Sequence, residues 1–307
     1  MYPAELTHLI TQAVNRLEID MTQAAPFMAG PVAGWLRQLS GTPHPADYFT
    51  HPLAFPALLL PWWLAQTLPN PPAPPWQANI AYATINGYYA IRLVDNLMDG
   101  HATMEVNLLP ALQFFHARFQ GTFQPWFEAN HPFWDTFYRL WFHSANVTMQ
   151  DAVLTHLTQA DFEQIAAQKI AAAKIPLAAT CYHTHHPALL EPWSRLVDRL
   201  GCWHQLLNDL MGWHRDDSRG AATYFLSEAE RQRRPTETVL AWVARAGLAW
   251  AAGLLHTWLA DMQTQAANLN CPTLAHYLDT RHRLLQTQLE STQAGLQTLA
   301  KLAAAVK

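Results

Sequence analysis

Proline is the punctuation of this chain, and between its prolines the apolar residues recur at helical spacing. No stretch rich in Val, Ile and Thr alternates with a period of two. No Asn-Gly or Asp-Gly pair joins two such stretches. Ala, Leu, Gln and Met dominate the segments instead, and they repeat as one face of a helix does. The stiff run PNPPAPP at residues 69–75 ends where a helix can begin, so the pattern predicts one long helix over 76–98, stopped at Gly100. A second is expected over 158–174, interrupted by Pro176, and a third over 192–217, after a loop at 183–192. Pro235 suits the first turn of a further helix, and the remainder reads as two or three more, broken near 268–272. The expected fold is all-α, a single domain over residues 1–307, with about eight or more helices.

Composition narrows the function classes. Only 14% of the 307 residues are charged and 50% are hydrophobic, with a net charge of −4. A nucleic-acid binder needs a basic stripe, which this balance does not supply, and the apolar fraction suffices for a packed core. The three cysteines are isolated and odd in number, which fits a reducing cytoplasm. The N-terminus has no basic segment before an apolar core. The apolar run at 55–64 (FPALLLPWWL) is shorter than the roughly 20 residues a bilayer takes. The expectation is a soluble cytoplasmic chain with no transmembrane segment and no nucleic-acid partner.

In a chain so poor in carboxylates, their clusters are informative. The first closes the predicted helix 76–98: Arg92-Leu93-Val94-Asp95-Asn96-Leu97-Met98-Asp99. At about 100° per residue Asp95 and Asp99 share a face, with Arg92 and Asn96 on the same side. Two carboxylates one turn apart at a helix C-terminus repel each other and oppose the macrodipole. A divalent cation relieves that repulsion, and hard oxygen donors suit Mg²⁺. The plain alternative is a solvated helix end. The second cluster runs from Gln205 to Gly220 and sets Gln205, Asn208, Asp209, Gly212, Asp216 and Arg219 within roughly 100° of arc. A polar stripe on so apolar a helix faces either solvent or an internal site holding ions.

The segment Asp95-Asn96-Leu97-Met98-Asp99 resembles the first aspartate-rich motif of the class I isoprenoid synthases, DDxxD, with Asn in second place. The segment from Gln205 to Asp216 resembles their second motif, in the versions written by trans-prenyltransferases and by terpene cyclases. Asp216 to Tyr224, with Arg219-Gly220 between, resembles the squalene/phytoene synthase branch. The resemblance implies a helical bundle around a central apolar cavity. It implies Mg²⁺ held by Asp95, Asn96 and Asp99 on one wall and by Asn208, Asp209 and Asp216 on the other, and an allylic prenyl diphosphate as substrate. Arg92, Lys174, Gln205, Arg215, Arg219 and Tyr224 would bind the diphosphate, with Lys169 an alternative to Lys174. The activity so implied is that of a terpene synthase or cyclase in isoprenoid biosynthesis. Prenyl transfer and a non-catalytic prenyl-binding or partner-binding homologue are its alternatives. Homodimers are common among such relatives.

The chain also departs from the pattern. Gly212 stands where a third carboxylate belongs, which weakens the second metal site. No Lys or Arg lies in residues 51–60, where a chain-elongating enzyme would hold isopentenyl diphosphate. Tyr88, about 20° from Asp95 on the helix, is positioned to line a cavity. Cys181, His183, His185 and His186 offer zinc-type ligands but lack a second pair at a recognised interval.

Overall fold

The computed structural model describes residues 2–98 and 105–305, with side chains described up to 296 apart from that of residue 105. Among the described residues there are helices and no strands. In chain order they are α1 (Ala4–Ala24), α2 (Pro26–Ser40), α3 (Asp47–Thr50), α4 (Leu59–Thr67), α5 (Pro74–Met98), α6 (Leu109–Gly121) and α7 (Pro132–Asp151). There follow α8 (Gln159–Lys169), α9 (Ile175–His183), α10 (Leu190–Arg219), α11 (Tyr224–Gln232), α12 (Val239–Trp242), α13 (Leu248–Asn268) and α14 (Pro272–Ala305). Two long helices lie close to expectation: α5 begins on the proline pair ending the 69–75 run, and α10 covers the second motif to its last arginine. Gly100 lies outside the described residues.

Two prolines act differently from expectation. Pro176 does not interrupt a running helix. It sits in the first turn of α9, preceded by the 3₁₀ turn Ala171–Lys174, because a residue without an N–H costs least where helical N–H groups have no partner anyway. Pro235 lies in the turn before α12, whose cap is Thr238, its hydroxyl accepting from the Ala241 N–H at 3.2 Å. A capping box starts α8. Thr158 accepts from the Asp161 N–H, and the Asp161 carboxylate accepts from the Thr158 N–H.

The chain groups into two compact units, each built from two stretches. The first is Met1–Phe142 with Ala171–Trp193; the second is His143–Ile170 with Ser194–Lys307. In the first, α5 packs along both α1 and α6. A buried aromatic cluster joins Trp76 and Ile80 of α5 to Phe119, Phe123, Phe127, Phe133 and Phe137, and Ala171, Ile175, Ala178 and Ala179 complete it. Phe127 and Phe133 stack at 4.2 Å. A pocket lined by Leu6, Trp62, Trp76 and Gln77 leaves about 20 Å³, room for a water molecule. A hollow of about 280 Å³ lies between α1 and α2.

In the second unit α13 runs along α14. Arg199 ties three helices together, donating to Glu163 of α8 and Asp261 of α13 at 3.0 Å each from its place on α10. Gly201 is where α10 passes closest to the end of α8. A Cβ there would lie 2.5 Å from Ile170 Cδ1 and 2.9 Å from the Ala166 carbonyl oxygen. The helical stretch Val239–Asn268, with a π-helical segment inside it, contains a window long and apolar enough to cross a bilayer, at a mean hydropathy of 1.3. Its apolar residues are interrupted by Arg245 and His256, so it forms no unbroken run in the sequence. In this unit it buries Trp242, Leu255, Trp258 and Leu259.

Candidate functional site

The first motif lies at the end of α5, within the first unit. Arg92 and Asp95 are one turn apart, and the guanidinium donates to the Asp95 carboxylate at 2.9 Å, both side chains being about a third exposed. Asn96 is buried at 4% exposure. Asp99, the second carboxylate of the motif, lies outside the described residues. One and two turns earlier the same helix turns aromatic. Tyr88, half-buried, meets Tyr48 of α3 hydroxyl to hydroxyl at 3.0 Å. Phe49 sets its ring 5.4 Å from Tyr88 and 5.2 Å from Tyr89, and Trp35 of α2 approaches Tyr89 at 5.8 Å. Burial pushes the Tyr88 phenol well up, the bond to Tyr48 and the Asp95 charge add to that, and Arg92 opposes it. Tyr88 therefore stays neutral and able to donate. A packed aromatic cluster thus lies one to two turns before the Arg92–Asp95 pair, and only the α5 part of it is legible from spacing. Tyr48 and Trp35 come from helices whose approach no motif announces.

The second motif lies on α10, within the second unit, and its stripe divides by depth. Asp209 is buried at 3% exposure, Gln205, Gly212 and Asp216 are intermediate, and Asn208, Arg215 and Arg219 are exposed. Gln205 donates from Nε2 to Asp209 Oδ1 at 2.9 Å. Burial lifts the Asp209 carboxyl to about 7, with the charges of Asp216 and Asp151 adding to the lift, while the Gln205 bond and Lys169 counter it. Lys169 at the end of α8 is bonded to Asp151 of α7 at 2.6 Å, and its carbonyl accepts from Ser144. Of Lys169 and Lys174, Lys169 stands in the same unit as the second motif. Lys174 closes the 3₁₀ turn before α9 in the first unit. Asp151 carries no sequence signal, since it lies far along the chain from α10 and belongs to no motif.

Tyr224 is a core residue. It is 1% exposed, with its ring stacked on Phe162 at 4.7 Å and edge-on to Trp250 at 5.4 Å. Arg219 is the last residue of α10, before Gly220 takes the left-handed conformation at φ +67°. Cys181 is buried, its thiol pushed up to about 12 by burial, and His183 stacks on Trp76 at 3.8 Å. Their positions are those of packing residues.

Mg²⁺ asks for oxygen donors converging in near-octahedral geometry. At the second motif the donors do not meet that demand. Asn208 faces outward, Asp209 is turned inward to Gln205, and Gly212 brings no donor. The space its side chain would enter is bordered by two side-chain ends: a Cβ on Gly212 would lie 3.0 Å from Arg215 Nη2 and 3.2 Å from Asp216 Oδ2. Arg215 Nε in turn stands 3.4 Å from Asp216 Oδ1. As placed, these side chains do not converge oxygen donors on one point as a divalent ion requires. At the end of α5 the one described carboxylate, Asp95, is a third exposed and already paired with Arg92, while Asp99 follows it in sequence only. Among the described residues, no three of His, Cys, Asp and Glu gather as a metal site. Comparison with family models, with curated proteins and with solved structures returns no match.

Proposed function

We propose that this chain is a class I isoprenoid-type enzyme that takes up an allylic prenyl diphosphate and ionises it, in the manner of a terpene synthase. The observation that supports this reading is the end of α5, where the Arg92–Asp95 pair stands one turn above Tyr48, Phe49, Tyr88 and Tyr89 within a single unit. Heterolysis of the allylic C–O bond leaves an inorganic diphosphate and a carbocation. Arg92 donates charge-assisted hydrogen bonds to the phosphate oxygens. Ring faces stabilise the cation, by roughly 0.5–2 kcal/mol each. The Tyr48–Tyr88 hydroxyl pair holds these rings in place. Mg²⁺ bound through Asp95 would supply Lewis acidity to the departing diphosphate.

The test is thermal unfolding with Mg²⁺ and inorganic diphosphate, for the wild type and for Asp95→Ala, followed by incubation with geranyl, farnesyl and geranylgeranyl diphosphates. Binding to the native state raises the midpoint by mass action. The expected result is a rise in the wild type that the variant lacks, and a hydrocarbon or terpene alcohol from one of the three substrates. Formation of a product only when isopentenyl diphosphate is added would move the assignment to prenyl transfer. Absence of both shift and product would end the reading.

Gly212 favours a second reading, a homologue that binds prenyl diphosphate without turning it over. The paired state of Asp95 and Asp216, each already beside an arginine, points the same way. A midpoint shift with prenyl diphosphate and no product would identify it.

A further inference from the structure

We propose that Arg215 is the cation of the second motif, a guanidinium tethered to the chain in the place where a divalent metal ion would otherwise be held. Asn208, Gly212 and Asp216 are spaced one turn apart along α10, so a carboxylate at 212 would project between the other two. That volume is instead bounded by Arg215 Nη2 at 3.0 Å and Asp216 Oδ2 at 3.2 Å from the Cβ position, with Arg215 Cζ at 3.8 Å. With no side chain at 212, the guanidinium lies back along its own helix beside Asp216, at 3.4 Å. Glycine at 212 brings no metal ligand and leaves room for a fixed positive charge, a cation no chelator can remove.

The face this leaves is chemically distinct. The Arg215 side chain is 59% exposed while Asp216 is 16% exposed, so the guanidinium keeps donors free of Asp216 turned to solvent, and a planar fork of N–H groups matches phosphate oxygens. The ligand class is therefore a diphosphate met directly by nitrogen donors. That last point rests on the reading of the chain as a prenyl diphosphate enzyme; the exclusion of the metal does not.

The experiment counts Mn²⁺ bound to the full chain by the loss of its free-ion paramagnetic resonance signal, with circular dichroism and the unfolding midpoint recorded for every variant. Asp216→Asn is expected to leave Mn²⁺ binding unchanged, and the double variant Gly212→Asp, Arg215→Ala to gain one Mn²⁺ that Mg²⁺ displaces. Pairing the two changes removes the contact a lone Gly212→Asp would make with the guanidinium. Loss of Mn²⁺ from Asp216→Asn, or no gain in a folded double variant, overturns the proposal. In excess EDTA, the wild type should bind inorganic diphosphate roughly tenfold or more tightly than Arg215→Ala, with Arg215→Lys intermediate. Equal affinities in EDTA would remove the diphosphate role. Failure of the wild type to bind diphosphate under any condition would sink the enzyme reading, while the Mn²⁺ gain in the double variant still decides the place of Arg215.

Discussion

Asp209 is a carboxyl group nearly sealed from water, with one amide as its hydrogen-bond donor and two other carboxylates in its field. Desolvation disfavours its charged form, and the folded group holds its proton to about pH 7 where the unfolded one releases it near 3.9. The folded state therefore binds more protons than the unfolded state between those values, and its stability falls as pH rises through that window. Below about pH 4 both states are protonated and nothing is lost; above about pH 7 the loss is complete. Asp209→Asn keeps the acceptor for Gln205 and removes the titration. Urea unfolding at pH 5 and pH 8 should show the variant gaining on the wild type as pH rises, by at most about 2.7 kcal/mol; parallel behaviour would mean the group is compensated. None of this was readable from the helical wheel. The wheel places Asn208 and Asp209 in one arc, but only the approach of other helices decides which edge of that arc is buried, and the two neighbours came out at opposite extremes.

Among the helices, what the sequence carried best was their periodicity and what it carried least was their contacts. The α5 and α10 spans were legible because long amphipathic runs bounded by Pro and Gly admit little else. Pro176 was ambiguous in principle, since the same ring that interrupts a helix also starts one, and the choice depended on a 3₁₀ turn with no sequence signature. Gly201 is the opposite case, a residue with no pattern around it that sets the spacing of α10 and α8. Gly201→Ala brings a methyl group against Ile170 and against the fixed Ala166 carbonyl, so the expected cost is about 1–3 kcal/mol, seen as a lowered unfolding midpoint. Shortening Ile170 to Ala in the same chain should recover little of it, because the backbone oxygen remains; full recovery would show that the side chain alone enforces the approach.

Across the whole molecule, all-α character followed from composition and period, whereas the grouping of the helices into two units did not. Each unit is assembled from two stretches separated in the chain, and hydrophobic spacing says nothing about which helices pair. The aromatic cluster of the first unit needs Ala171, Ile175, Ala178 and Ala179 to cover Trp76 and the Phe119–Phe137 rings. A fragment ending at Phe142 should therefore bind a dye for exposed apolar surface and melt without a cooperative transition, and a fragment that folds cooperatively by itself would contradict the cluster. The same interleaving sets an order of events during synthesis. When Phe142 leaves the ribosome the first unit still lacks its closing stretch, which arrives only after residues 143–193 are made, roughly 3–10 s later at ordinary elongation rates. Through that interval a large aromatic surface waits uncovered, so chaperone demand should peak in mid-translation rather than at release, and codons slowing residues 143–193 should reduce yield more than the same codons placed after residue 193.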